Sequence, residues 1–277
     1  MTYKDILVHI DDSNNSAARL AVAIQLAVTH GAQLTGLYVI PDYDTAFLSA
    51  GYAGPELLAI AREATQERMQ QQEAAFREAT AKQGATADWC CVQGEPAQQF
   101  IWHAAYHDIA IIGQHDPQDP ASLPGWSVSQ ILLGTGRPVL VIPYIGASHT
   151  PGERILIAWS ASREVVRAVN DALPFLARGH AVSVVTIHPP AGITPEETVS
   201  SAALCQHLAR HGITATSAAL PASDLEVGDV LLSRAADEGA DLMVMGAYGH
   251  SRLREIVLGG ATRHLLQHMT VPVLMSH

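Results

Sequence analysis

The apolar positions of this chain fall in short unbroken runs separated by longer helical stretches. Ile6, Leu7, Val8 and Ile10 form one such run, the pattern of a strand buried on both faces. Asp11, Asp12, Ser13 and Asn14 follow with turn and helix-start chemistry. Ala17 to Thr29, rich in Ala, Leu and Val, predicts a helix closed by His30 and Gly31. Leu34 to Ile40 is a second strand, stopped by Pro41, and Asp42 to Pro55 has the small residues of a loop. Pro55 to Gln83 reads as a long polar, Ala-rich helix ended by Gly84. Trp89 to Val92, Asp108 to Gly113 and Pro138 to Pro143 complete the strands, with a helix over Glu95 to Tyr106.

The same order then returns. Ile155, Leu156 and Ile157 match Ile6, Leu7 and Val8, and Glu164 to Arg178 takes the place of the first helix. Val182 to Ile187 with Pro189 matches the second strand and its proline, and Pro195 to Gly212 stands in for the long helix. Asp241 to Gly246 answers Asp108 to Gly113, and Val271 to Met275 answers Arg137 to Val141. A period near half the chain length means a duplicated domain rather than a solenoid. We place the halves at 1–146 and 147–277, across the Gly/Ser/Pro-rich stretch Tyr144 to Glu153. Alternation of strand and helix implies, in each half, a five-stranded, doubly wound parallel sheet flanked by helices, the α/β class.

Composition narrows the partners. A formal net charge of −11 argues against a nucleic-acid surface, which normally needs a basic stripe. No apolar run reaches the roughly 18–20 residues of a membrane helix. The three cysteines form neither a disulfide framework nor a C-x-x-C pair, which points to a reducing cytoplasm.

The most informative stretch is Met243 to Leu266. After the apolar run come Gly246 and Gly249, then Gly259 and Gly260, then a helix from Ala261 to His268. A helix start offers unpaired N–H groups and a positive dipole end, so it favours phosphate. The pattern G-x2-G-x9-G-G between a strand and a helix resembles the nucleotide loop of the universal stress protein family, whose usual form has Ser or Thr where Gly260 stands. With the repeat, the resemblance covers the whole chain as a tandem pair of such domains. It implies a stress-response protein, non-enzymatic or at most a slow ATP hydrolase, binding ATP with Mg. It also implies that the halves pair through their fifth strands, Val139 to Ile142 with Val271 to Met275, as a pseudo-twofold. Dimerisation of the whole chain is a further expectation.

In ATP-binding members of that family an Asp at the end of the first strand contacts the adenine end. Here Asp11 keeps that acid, but the first-half loop is degraded. Asp116 replaces the second glycine, Asp119 and three prolines crowd the spacer, and Trp126 stands where Gly260 stands. Two unit charges about 4 Å apart repel by on the order of 1–4 kcal/mol in a wet or semi-wet site, so a phosphate there needs a bridging cation. The second half has the reverse fault: its loop is intact apart from Gly260, but Ser160 replaces the acid. The expected nucleotide contacts are therefore Gly246, Gly249, Gly259, Gly260, Ala261, Thr262 and Ser160, with Arg252, Arg254 and Arg263 near in sequence and Asp11 as the first half's remnant. A ligand-free interaction module with vestigial pockets is the alternative.

Other features carry less. His103/His107, His207/His211 and His264/His268 are spaced i, i+4, which sets two imidazoles on one helix face, but no third metal ligand accompanies any pair. Cys90 and Cys91 point to opposite faces of a strand, so one thiol is expected to be buried. The four tryptophans are expected in the core or an interface. No Walker loop, G-x-G-x-x-G or G-x-S-x-G is present, and no catalytic set stands out.

Overall fold

The computed structural model describes residues 2–41, 55–147, 151–160, 162–187, 201–220, 226–248 and 260–277. These divide into two compact units, Tyr3–Thr135 and Gly136–His277. The first contains β1 (Asp5–Ile10), α1 (Ser16–His30), β2 (Gln33–Ile40), α2 (Pro55–Lys82), β3 (Ala87–Gln93), α3 (Pro96–Ala104), β4 (Ile109–Gly113) and α4 (Gly125–Gly134). Its strands are parallel and lie in the order β3-β2-β1-β4. Ile6, Leu7, Ile109, Ala110 and Ile111 are wholly buried, which is why the sequence shows unbroken apolar runs there.

The second unit contains β5 (Val139–Ile142), β6 (Arg154–Ala158), α5 (Arg163–Asp171), α6 (Leu173–Leu176), β7 (Ala181–Ile187), α7 (Ser201–Arg210), β8 (Ala215–Leu220), α8 (Val227–Glu238), β9 (Leu242–Gly246), α9 (Gly260–His268) and β10 (Val273–Ser276). Its order is β5-β10-β9-β6-β7-β8. All neighbours are parallel except β5, which pairs antiparallel with β10, Val141 opposite Val273 and Val139 opposite Met275. The fifth strands of the two repeats thus meet as expected.

The repeat keeps its register across the two inner strands of each half and slips by one residue before the next strand. Ile6 lies opposite Ile109 in β1/β4, and Ile155 lies opposite Leu242 in β6/β9. The acid before each inner strand does one job twice. Asp108 accepts the amides of Lys4 and Asp5, and Asp241 accepts those of Gly152, Glu153 and Arg154. Each carboxylate satisfies orphan N–H groups at a strand start and fixes the adjacent strand's entry.

Helix ends follow local chemistry. Gly31, at φ 59°, closes α1 in the left-handed conformation and returns its N–H to Ala27 and Val28. Glu95 caps α3 by accepting from Ala97 and Gln98. The helix expected over Glu164 to Arg178 is instead two, α5 and α6, because Pro174 has no N–H to continue the ladder. Two burial expectations are corrected. Cys90 is half-buried and Cys91 exposed, since β3 has a strand on one side only within its unit and its outer face is partly bare. Trp102, expected in the core or an interface, is 58% exposed on α3, which removes the core half of that expectation. No helix among the described residues is long and apolar enough to cross a membrane.

Candidate functional site

In a parallel sheet of this kind the crevice for a ligand opens beyond the carboxyl ends of the strands where their order reverses. Here that is between β1 and β4 in the first unit, and between β6 and β9 in the second.

The first crevice is occupied by the chain itself. Arg19, 2% exposed, rises from α1 and donates through Nη2 to Asp11 Oδ1 at 2.7 Å and through Nε to the His9 carbonyl at 2.7 Å. Its guanidinium lies against Gly113, where a Cβ would come within 2.3 Å of Nη1. Asp11 also accepts the Ser13 amide and hydroxyl, and His9 Nδ1 stands 3.2 Å away without hydrogen-bond alignment. Burial alone would raise the Asp11 carboxyl, but the Arg19 cation, the His9 ring and Ser13 overcome it and hold the group well below the usual carboxylate range. The acid expected to meet adenine is thus already paired with a buried cation.

The degraded loop reaches the same turn. Asp119, 7% exposed, accepts the Asn14 amide at 2.7 Å and the Ala121 amide at 3.0 Å. Asp12, by contrast, turns outward to Arg68 at 3.1 Å and to the Tyr38 hydroxyl, tying α2 to the strand ends.

The second crevice lacks that ion pair. By the strand register Ser160, which is exposed, stands at Asp11's position, just past the end of the strand. Gly246 ends β9, and its smallness serves packing. A Cβ there would lie 2.6 Å from the Val165 amide nitrogen and 2.8 Å from the Glu164 carbonyl carbon. Tyr248 follows at φ 52°, a left-handed backbone that costs a bulky residue strain of the kind held at functional sites. Its amide donates to the Thr262 hydroxyl at 3.2 Å, which ties the loop's start to the first turn of α9. Gly260 and Ala261 are half-buried at that helix start, while Gly249, Gly259, Arg252 and Arg254 lie outside the described residues. Glu164 is buried beside Gly246 and held by Arg163. Burial raises its carboxyl, but the Arg163 and Ser162 hydrogen bonds outweigh that and bring it below the ordinary value.

Arg19, Asp119 and Glu164 were not among the expected site residues. A clue to Arg19 was present: one cation inside an otherwise apolar helical stretch, eight positions after the acid. Trp159 is buried at the end of the first strand of its half, as core. The His264 and His268 rings stack at 4.4 Å, and His264 faces Asp229 at 2.8 Å and Glu226 at 3.4 Å. No group of three or more His, Cys, Asp or Glu suited to a metal occurs among the described residues.

Strand order that reverses between β1 and β4 and again between β6 and β9, with helices between the strands, makes this a tandem doubly wound α/β protein. The model of the Universal stress protein family matches residues 2–143 and again 152–277, and the chain belongs to that family. It is 47% identical over 38 residues to Universal stress protein Slr1230 of Synechocystis sp., a match covering 14% of this chain and 13% of that protein. In fold it is similar to a universal stress protein from Archaeoglobus fulgidus DSM 4304, with a TM-score of 0.75 and 14% identity over 98% of this chain and 96% of that one. A protein of unknown function from Pseudomonas aeruginosa PAO1 is similar with a TM-score of 0.57 and 16% identity, over 99% and 92% of the two chains.

Proposed function

We propose that this universal stress protein is a non-enzymatic cytoplasmic module that binds an adenine nucleotide, ATP with Mg, in its second half. The reading rests on the contrast between the two crevices: Arg19 is paired with Asp11 in the first, whereas exposed Ser160 stands in place of that acid in the second. The amides of Gly260 and Ala261 open α9 toward the glycine loop, where phosphate gains from the helix dipole. In this reading Gly246, Gly249 and Gly259 carry the loop past the phosphates, Thr262 fixes its start, and Ser160 meets the base end with one neutral hydrogen bond.

A ligand-free interaction module is the second reading. One observation favours it: the Glu164–Val165 peptide packs so closely on Gly246 that packing alone accounts for the loop's first glycine.

Calorimetric titration of Mg-ATP into the stripped full chain separates the two. Saturable heat at one site per chain supports the first reading, and no heat with ATP, ADP or AMP supports the second. Gly249→Asp copies the first half's own defect. In the first reading it weakens ATP at least about tenfold, the effect of about 1.4 kcal/mol of repulsion. Phosphate release above background would instead mark a slow hydrolase.

A further inference from the structure

The first half carries a second buried charge besides Arg19, and the two reach the segment from Asp11 to Asn14 from different elements. From the helix side, Arg19 places a cation on Asp11 and against Gly113. From the loop side, Asp119 places an anion on the Asn14 amide, in the turn between β1 and α1. The loop that carries Asp119 is braced by its own contacts. Asp116 accepts the Gln118 amide at 2.9 Å, the Ser122 hydroxyl donates to the Asp116 carbonyl at 3.0 Å, and His115 Nδ1 meets the Leu123 carbonyl at 3.1 Å. Both charged groups are buried and both are satisfied, as an isolated charge in such a place would not be.

The geometry points to a first half that is internally liganded: the loop 114–124 is a strap that seats Asp119 where an anion would bind, while Arg19 occupies the acid that would read a base. This half is then closed to nucleotide by its own side chains and holds its shape without a ligand. The inference concerns the first half alone and stands whatever the second half binds.

Carbodiimide labelling of carboxylates in the native full chain, read residue by residue by mass spectrometry, tests it. Glu226, 67% exposed, is the reference. Asp11 and Asp119 should label more than about tenfold more slowly, because reaction must await local opening. Their rates should not change with saturating ATP or inorganic phosphate. Labelling at the Glu226 rate, or a rate that ATP or phosphate lowers further, overturns the proposal. The converse experiment uses Asp119→Ala, with the Asn14 amide followed by nuclear magnetic resonance during a titration with inorganic phosphate. A saturable shift in the variant and none in the native chain is expected. A folded variant whose Asn14 amide ignores phosphate contradicts the role given to Asp119, and an unfolded variant leaves the native labelling to decide.

Discussion

Asp11 and Ser160 share one position of the repeat, and the exchange of acid for hydroxyl leaves the second crevice without the partner that holds Arg19 in the first. Asp11 next to Arg19 has a folded-state pKa below its unfolded one. The unfolded chain therefore takes up the proton first, and the stability from this pair is complete above the unfolded value, about 3.9. It is lost as pH falls below that value toward the folded one. In Asp11→Asn the acid limb should be shallower: urea midpoints of the native chain should drop more steeply below about pH 4 than those of the variant. At neutral pH the variant should already be weaker by about 3–5 kcal/mol, since Arg19 is left buried without its counter-ion. Parallel acid limbs would mean that the pair contributes no linkage. The acid itself was legible, because the repeat aligns it with the end of a strand. Its partner was not, because a side chain's direction from a helix depends on packing that periodicity does not specify.

At the scale of elements, α5 sits on the end of β9 so closely that only glycine fits at Gly246. The nearest atoms a Cβ would meet there belong to the Glu164–Val165 peptide, at 2.6 and 2.8 Å, and backbone cannot turn aside as a long side chain can. Gly246→Ala should cost about 1–3 kcal/mol or more by overpacking, read as a lowered thermal midpoint with no nucleotide present. A variant that melts like the native chain would show that α5 shifts freely. Loss of ATP binding in this variant would then say little about contact with phosphate, so Gly249 is the better probe. Elements with unbroken Ile, Leu and Val were readable from the chain. β8, Ala215–Leu220, is mostly small and polar, and only the order of the repeat implies it. The break between α5 and α6 turns on the single Pro174, and the strain at Tyr248 leaves no trace in composition.

At the scale of the molecule, the unit boundary at Thr135/Gly136 lies before β5, not in the Gly/Pro-rich stretch that follows it. The physical reason is the ladder: β5 pairs antiparallel with β10 over Val139, Leu140 and Val141, which ties it to the second unit although it ends the first repeat. A sequence reading finds the fifth strands and their pairing, but composition marks a linker, not the ownership of a strand. The proposed boundary at 146/147 and the contact boundary therefore make opposite statements about a fragment. A chain of residues 136–277 keeps β10 covered and should melt in one cooperative step. A chain of residues 147–277 exposes the edge of β10, with Val273 to Met275 unpaired, and bare edges template association. Light scattering should find the shorter fragment as dimers or larger species that pair through β10, and Leu274→Lys should return it toward monomer by charging that edge. If both fragments are monomeric with the same melt, the β5–β10 ladder is dispensable to the second unit, and the repeat boundary is the better description of its folding.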